Sequence, residues 1–115
     1  MDTRAVLDHH LASLAAGDTD ALLEDYTDES VLVTGEGVVR GRDALRAVFD
    51  QFVSGLFAPG TYEFTMDQLQ VEGDVALIVW KASCKGADIR LGTDTFVVRD
   101  GKIAVQTFAA LIEPS

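Results

Sequence analysis

The sequence predicts an α+β domain in which helices pack on one face of a curved antiparallel sheet and leave a cone-shaped space between the two layers. Two observations predict it. Apolar residues recur at helical spacing along the first half of the chain, and from Thr61 onward their period changes to two, as in strands. Short glycine-containing turns then separate the strands, as in a meander of antiparallel neighbours.

The elements follow in order. Leu7, Leu11, Leu14 and Ala15, flanked by Val6 and His10, mark a first helix, which Gly17 stops as a left-handed cap. Asp18 can N-cap a second, shorter helix, with Asp20 well placed in its first turn and Leu22, Leu23 and Tyr26 as its apolar residues. Val31-Leu32-Val33 and Val38-Val39 flank Thr34-Gly35-Glu36-Gly37, a short hairpin. Leu45, Val48, Phe49, Phe52, Val53 and Leu56 form the broad apolar stripe of a third helix, ended by Gly55 and Ala58-Pro59-Gly60.

Beyond it, Tyr62, Phe64 and Met66 alternate, then Leu69 and Val71 alternate in the opposite phase. The slip at Asp67-Gln68 predicts a β-bulge, which bends a strand. Turns at Glu72-Gly73-Asp74, Lys85-Gly86 and Arg99-Asp100-Gly101-Lys102 lead into strands over Val75 to Ala82, Ile89 to Val98 and Ile103 to Ile112. A bent sheet covered by helices on one side makes a natural pocket for a small apolar ligand.

Composition narrows the function. The 115 residues suit one domain, residues 1–115, and 48% apolar residues can fill its core. Nine basic against nineteen acidic residues give a net charge of −10, which repels phosphate backbones and anionic lipids, so neither nucleic acid nor a membrane is an expected partner. One cysteine, Cys84, allows no internal disulfide and no thiolate cluster, and suits a reducing compartment; with no base adjacent to it in sequence it reads as a small apolar filler. Residues 1–16 lack a signal-peptide core, and the longest apolar run, Val75 to Trp80, is too short to span a bilayer. The expectation is a soluble, cytoplasmic protein.

Cofactor chemistry has no footing in the motifs. His9 and His10 are adjacent on a helix and point about 100° apart, so they cannot share a metal ion. Gly35-Glu36-Gly37 lacks the lysine of a phosphate loop, and there is no nucleophile elbow. Neither a metal nor an organic cofactor is expected.

The order of elements, with Leu14-Ala15-Ala16-Gly17-Asp18, Gly41-Arg42-Asp43-Ala44-Leu45-Arg46 and the run Asp94-Thr95-Phe96-Val97-Val98-Arg99-Asp100-Gly101-Lys102-Ile103, resembles the nuclear transport factor 2-like superfamily over essentially the whole chain. That group has a cystatin-like cone with three helices on the concave face of its sheet. It includes ketosteroid isomerases, scytalone dehydratase, limonene epoxide hydrolase and SnoaL-like polyketide cyclases. One pocket shape hosts isomerases, hydrolases, cyclases and non-enzymes, so the resemblance implies a fold more than a reaction.

Carrying over the ketosteroid isomerase site, which uses an Asp base opposite a Tyr and a protonated Asp, keeps only part of it. The resemblance puts Asp94 at the protonated-Asp position and Tyr26 at a supporting tyrosine. It puts His10 at the oxyanion-hole tyrosine and Phe49 at another supporting tyrosine, and it makes Gln106 a cavity residue. The general base falls on Thr34, an alcohol that cannot take a proton from carbon near neutral pH. What remains is a His10–Asp94 pair with Tyr26 behind it.

The residues themselves support part of this picture. Periodicity places His10 at the edge of the buried stripe, as a core hydrogen-bonding residue or a proton carrier at the pocket mouth, with His9 towards Asp2 and Ser13 on the wet side. Strand alternation puts Asp94 on one face with Arg90, Gly92, Phe96 and Val98, as a structural bridge or a pocket carboxyl with a raised pKa. Trp80 shares a face with Ile78 and Ala82, and Gln106 with Phe108, either lining a pocket or filling core. Arg42, Asp43 and Arg46 serve surface capping and charge pairing.

The expected function is a pocket for a hydrophobic, carbonyl-bearing molecule. In an enzyme, Asp94 and His10 transfer protons in an isomerase-, cyclase- or dehydratase-type step. Tyr26, Thr34 and Gln106 then face the ligand's polar end, and Phe49, Trp80, Phe96 and Phe108 form apolar walls. The alternative is a non-catalytic binding or dimerisation module of the same fold. His10 and Asp94 are expected to meet as an ion pair. The outer set Ile89, Leu91, Val97, Val105, Ala109 and Leu111 is expected to seat a twofold partner, giving a homodimer.

Overall fold

The chain enters its first helix through Asp2, whose carboxylate accepts the Ala5 N–H at 2.8 Å, a cap of the kind that contributes about 1 kcal/mol. The computed structural model describes residues 2–115. These form α1 (Thr3–Ala15), α2 (Thr19–Leu23), β1 (Tyr26–Thr34), β2 (Gly37–Arg40), α3 (Arg42–Ser54), β3 (Glu63–Glu72), β4 (Val75–Cys84), β5 (Ala87–Arg99) and β6 (Lys102–Pro114). Gly17 closes α1 at φ +67 with its N–H on the Leu14 carbonyl, and the Asp18 side chain caps α2 at the Ala21 N–H. A β-carbon at Gly17 would also strike the Pro59 ring, so this turn and the loop after α3 are packed together.

The described residues form one curved six-stranded sheet in the order β2-β1-β6-β5-β4-β3, with the helices against its concave face. From β3 to β6 it is the expected antiparallel meander, and the register slip between Met66 and Gln68 is the bulge expected at Asp67-Gln68. The expectation of a wholly antiparallel sheet needs one correction: β1 runs parallel to β6, pairing Leu32 with Gln106 and Thr34 with Phe108. The two strands join only through β2, α3 and three further strands, a crossover that no local turn signal reports.

Tyr26 also departs from expectation. It opens β1 rather than continuing α2, because the Asp25 carbonyl is already taken by the Ile103 N–H at 2.7 Å, which starts the sheet one residue earlier. The ring is still buried.

A second correction concerns β5. Ile89, expected on the outer face, is in the core at 1% exposure, whereas Leu91 is 48% exposed. A register irregularity between them reverses the phase of the strand. The same irregularity turns Arg90 outward, where it pairs with Glu113 at 3.0 Å and not with Asp94. Leu91 faces outward opposite Leu111, itself 53% exposed, with Val97 opposite Val105 farther along the two strands. No helix among the described residues is long and apolar enough to cross a membrane.

His9 is a third correction. It is half-buried and turned from Asp2 and Ser13 to the other side, with Nδ1 2.7 Å from the buried Asp25 carboxylate, which ties α1 to the start of β1. That bond raises the His9 pKa above 6.5, while burial pushes the Asp25 carboxyl up despite the histidine. A histidine with a raised folded pKa contributes stability that is complete below its unfolded value and is lost as pH rises through the folded one. The urea midpoint is therefore expected to fall from pH 6 to pH 8.5 in the wild type. His9→Asn should be less stable at pH 6 and show a flatter profile; parallel profiles would remove the pair from the stability balance.

Candidate functional site

Three adjacent rows of the sheet place the polar side chains. Trp80 lies opposite Gly92, Asp94 lies between Ile78 and Phe108, and Gln106 lies between Phe96 and Leu32. Alternation turns all of these side chains to the concave face, so Trp80 and Gln106 approach Asp94 diagonally from opposite sides. Gly92 is required here: a β-carbon there would overlap the Trp80 indole carbons. The indole therefore lies flat over Gly92, stacked between Phe64 at 5.3 Å and Phe108 at 6.2 Å between ring centres.

α1 and α3 close the other side. His10, Leu11 and Leu14 come from α1, and Phe49 and Phe52 from the apolar stripe of α3. Between these helices and the sheet is a cavity of about 50 Å³, with Trp80, Asp94, Gln106 and Phe108 on its sheet wall. A shallower groove of about 660 Å³ adjoins it beyond Leu32, Phe52 and Phe108, under the β1–β2 hairpin.

One string of hydrogen bonds crosses the inner wall. Trp80 Nε1 donates to Asp94 Oδ1 at 2.8 Å, and Gln106 Nε2 donates to Asp94 Oδ2 at 2.9 Å. The Tyr26 hydroxyl donates to Gln106 Oε1 and stands 3.3 Å from His10 Nδ1. The His10 ring is held edge-on against Phe96 at 5.1 Å.

The expected direct His10–Asp94 ion pair does not form: Tyr26 and Gln106 stand between the two residues. Both groups are instead pushed towards neutrality. Burial, and then the charge of His9, lowers His10 to about 4. Burial raises Asp94 to about 6 even though the Gln106 and Trp80 N–H groups favour its carboxylate. Desolvation outweighs attraction because each group is sealed among rings and no opposite charge touches it.

The other expected site residues divide. Phe49, Trp80, Gln106 and Phe108 line the cavity with His10 and Asp94, while Tyr26 and Phe96 stand behind the wall as supports of His10. Thr34 does not reach the inner cavity. It sits at the end of β1 beside the outer groove, its hydroxyl accepting the Glu36 N–H of the turn. Three aromatic walls escaped the sequence reading, of which Phe52 was legible only as part of the apolar stripe of α3. Phe64 belongs to the period-two run of β3, whereas Phe57, edge-on to Trp80 at 5.9 Å, lies past the helix stop and follows no period.

Residues 7–106 match the family model of the SnoaL-like domain. The chain belongs to that family. No curated protein matches the SnoaL-like domain described here in sequence. Among solved structures it is similar to an epoxide hydrolase/cyclase-like enzyme with a role in pyran ring formation in the polyether salinomycin (19% identity, 98% of this chain and 95% of that one, TM-score 0.80). It is also similar to a candidate polyketide cyclase from Sinorhizobium meliloti (22%, 91% and 94%, TM-score 0.77). A third is a candidate ketosteroid isomerase from Kribbella flavida (15%, 95% and 77%, TM-score 0.78). At these identities the likeness is one of fold.

Proposed function

We propose that this SnoaL-like domain binds a hydrophobic, carbonyl-bearing small molecule in the cone and moves a proton on it, in an isomerase-, cyclase- or dehydratase-type step. The observation that carries this reading is Asp94. Its carboxyl is 7% exposed, on the wall of an aromatic cavity, with a pKa raised to about 6 and its two oxygens held by N–H donors. A proton carrier works best when its pKa lies near the operating pH, and fixed donors keep it aimed. His10, neutral above about pH 4, is the second proton-carrying group on the wall. The names of the structural neighbours, a cyclase-like enzyme, a polyketide cyclase and a ketosteroid isomerase, support the same class of step.

The cavity of about 50 Å³ has room for roughly four water-sized groups. Only the reacting end of a ligand enters it, and the remainder lies past Phe52 and Phe108 towards the outer groove. The test is deuterium incorporation at the α-carbon of small cyclic enones such as cyclopent-2-enone, followed by proton NMR in deuterium oxide. Saturable exchange above the buffer rate is expected. Binding of the same enones without exchange would replace this reading with that of a non-catalytic binding module.

We also propose that two copies associate through the outer sheet face, where Leu91 and Leu111 stand exposed and Val97 and Val105 follow farther along the same two strands. Sedimentation equilibrium at micromolar concentration should give twice the chain mass, and Leu91→Lys with Leu111→Lys should return it to one. A monomeric wild type would overturn this association. The same reading keeps the protein in the cytoplasm, on its single buried thiol and its acidic surface.

A further inference from the structure

The string of hydrogen bonds behind the cavity has a direction, and one member sets it. The Trp80 indole nitrogen can only donate, so the Asp94 oxygen facing it must always accept. While Asp94 is a carboxylate, its other oxygen accepts as well, and the Gln106 amide turns its NH₂ to it and its carbonyl to Tyr26. The Tyr26 proton is then committed to Gln106, so His10 Nδ1 must carry the proton of the remaining contact. His10 Nε2 is left with a free lone pair, on a ring that lines the cavity.

Protonating Asp94 reverses every link except that of Trp80. The added proton sits on the oxygen facing Gln106, because the other faces Trp80. The amide must turn over to accept it, presenting NH₂ to the tyrosine oxygen. Tyr26 then gives its proton to His10 Nδ1, and the ring is left protonated at Nε2. Asp94 gains one proton, while the imidazole loses one to water at Nδ1 and regains one at Nε2, so the net uptake is one.

We infer that the ionisation state of Asp94 selects which ring nitrogen of His10 carries the proton, with Tyr26 and Gln106 as the positioning residues that transmit the choice. The inference rests on the reading of the cavity as a proton-transfer site and deepens it. The wall presents a base at His10 Nε2 when Asp94 is charged, and a donor for a carbonyl oxygen when Asp94 is neutral. Other ionisable groups near the string are few. His9 on α1 acts on the His10 ring, Asp25 before β1 acts on Tyr26, and α3 contributes the apolar ring of Phe49. None of them hydrogen-bonds to a member of the string, so none fixes its direction.

Nitrogen-15 NMR of the histidine rings reads the tautomer directly, the His9 signals being told apart by their own titration and by their loss in His9→Asn. In the wild type, His10 should hold its proton on Nδ1 at pH 8 and change to Nε2 as Asp94 titrates near pH 6. Asp94→Asn copies the neutral carboxyl, since Trp80 forces the Asn oxygen towards itself and the NH₂ towards Gln106. This variant should hold the Nε2–H form from pH 5 to pH 8. Tyr26→Phe cuts the string, and its His10 tautomer should no longer follow pH. A wild-type ring in one tautomer at all pH values, or the Nδ1–H form in Asp94→Asn, would overturn the inference even if enone exchange persisted. A tautomer change without any exchange would uphold it and remove the proposed reaction instead.

Discussion

Asp94→Asn is expected to lower enone exchange by about 10²- to 10⁴-fold, the usual contribution of a positioned acid or base. The amide keeps the Trp80 hydrogen bond, so the loss reports missing proton transfer and not a collapsed wall. Stability should move the other way. The folded state holds a proton on Asp94 up to about pH 6, whereas an unfolded aspartate releases it near 3.8. Between those values Asp94 holds more protons in the folded state, so its own contribution to stability falls as pH rises, by on the order of 3 kcal/mol for a shift of this size, against an opposite slope from His10 that both proteins share. The Asn variant should lack that decline and be no less stable than the wild type at pH 7. An inactive variant that is also strongly destabilised would mean that Asp94 serves structure alone. Full activity in Asp94→Asn would remove it from the chemistry, leaving His10, whose neutral ring is comparable in basicity to the catalytic Asp of ketosteroid isomerase at about 4.6.

Gly92→Ala should have the largest effect of any single methyl group added to the sheet. The new β-carbon overlaps the Trp80 indole, and that ring is not a flexible chain end: Phe64 and Phe108 hold it on both faces and Phe57 at its edge. Relief requires moving the indole or the strand, at a cost of about 1–3 kcal/mol. Moving the indole also removes an N–H donor from Asp94, so the Asp94 pKa should rise further and the pH profile of exchange shift to higher pH. Gly35→Ala is the control, because a β-carbon there meets nothing within 4 Å and its backbone needs no left-handed conformation. Equal melting temperatures for the two variants would show that the Trp80 position is not set by Gly92.

Some of this architecture is written locally. The period change at Thr61, the phase slip at Asp67-Gln68, the Gly17 stop and the Asp18 cap each depend on residues a few positions apart. Each appears in the structure where the local pattern places it. The cavity carboxyl was legible in the same way, because strand alternation puts Asp94 on the face of Phe96. The alternation failed at Ile89 and Arg90, where a bulge without a glycine reverses the phase.

What the local pattern left open is decided by contacts between distant segments. Tyr26 and Gln106 are 80 residues apart and Asp94 is 12 from Gln106, yet one row of donors and acceptors joins them. That row exists because β1 lies parallel to β6, a pairing set by the route of the whole chain. It also decides that His10 bonds to a tyrosine and not to the carboxylate. Composition and periodicity specified which side chains turn inward, since those depend on local backbone geometry and apolar burial. The order in which the inward groups meet, and hence their charge, was decided by packing: removal from water costs more than a distant opposite charge returns.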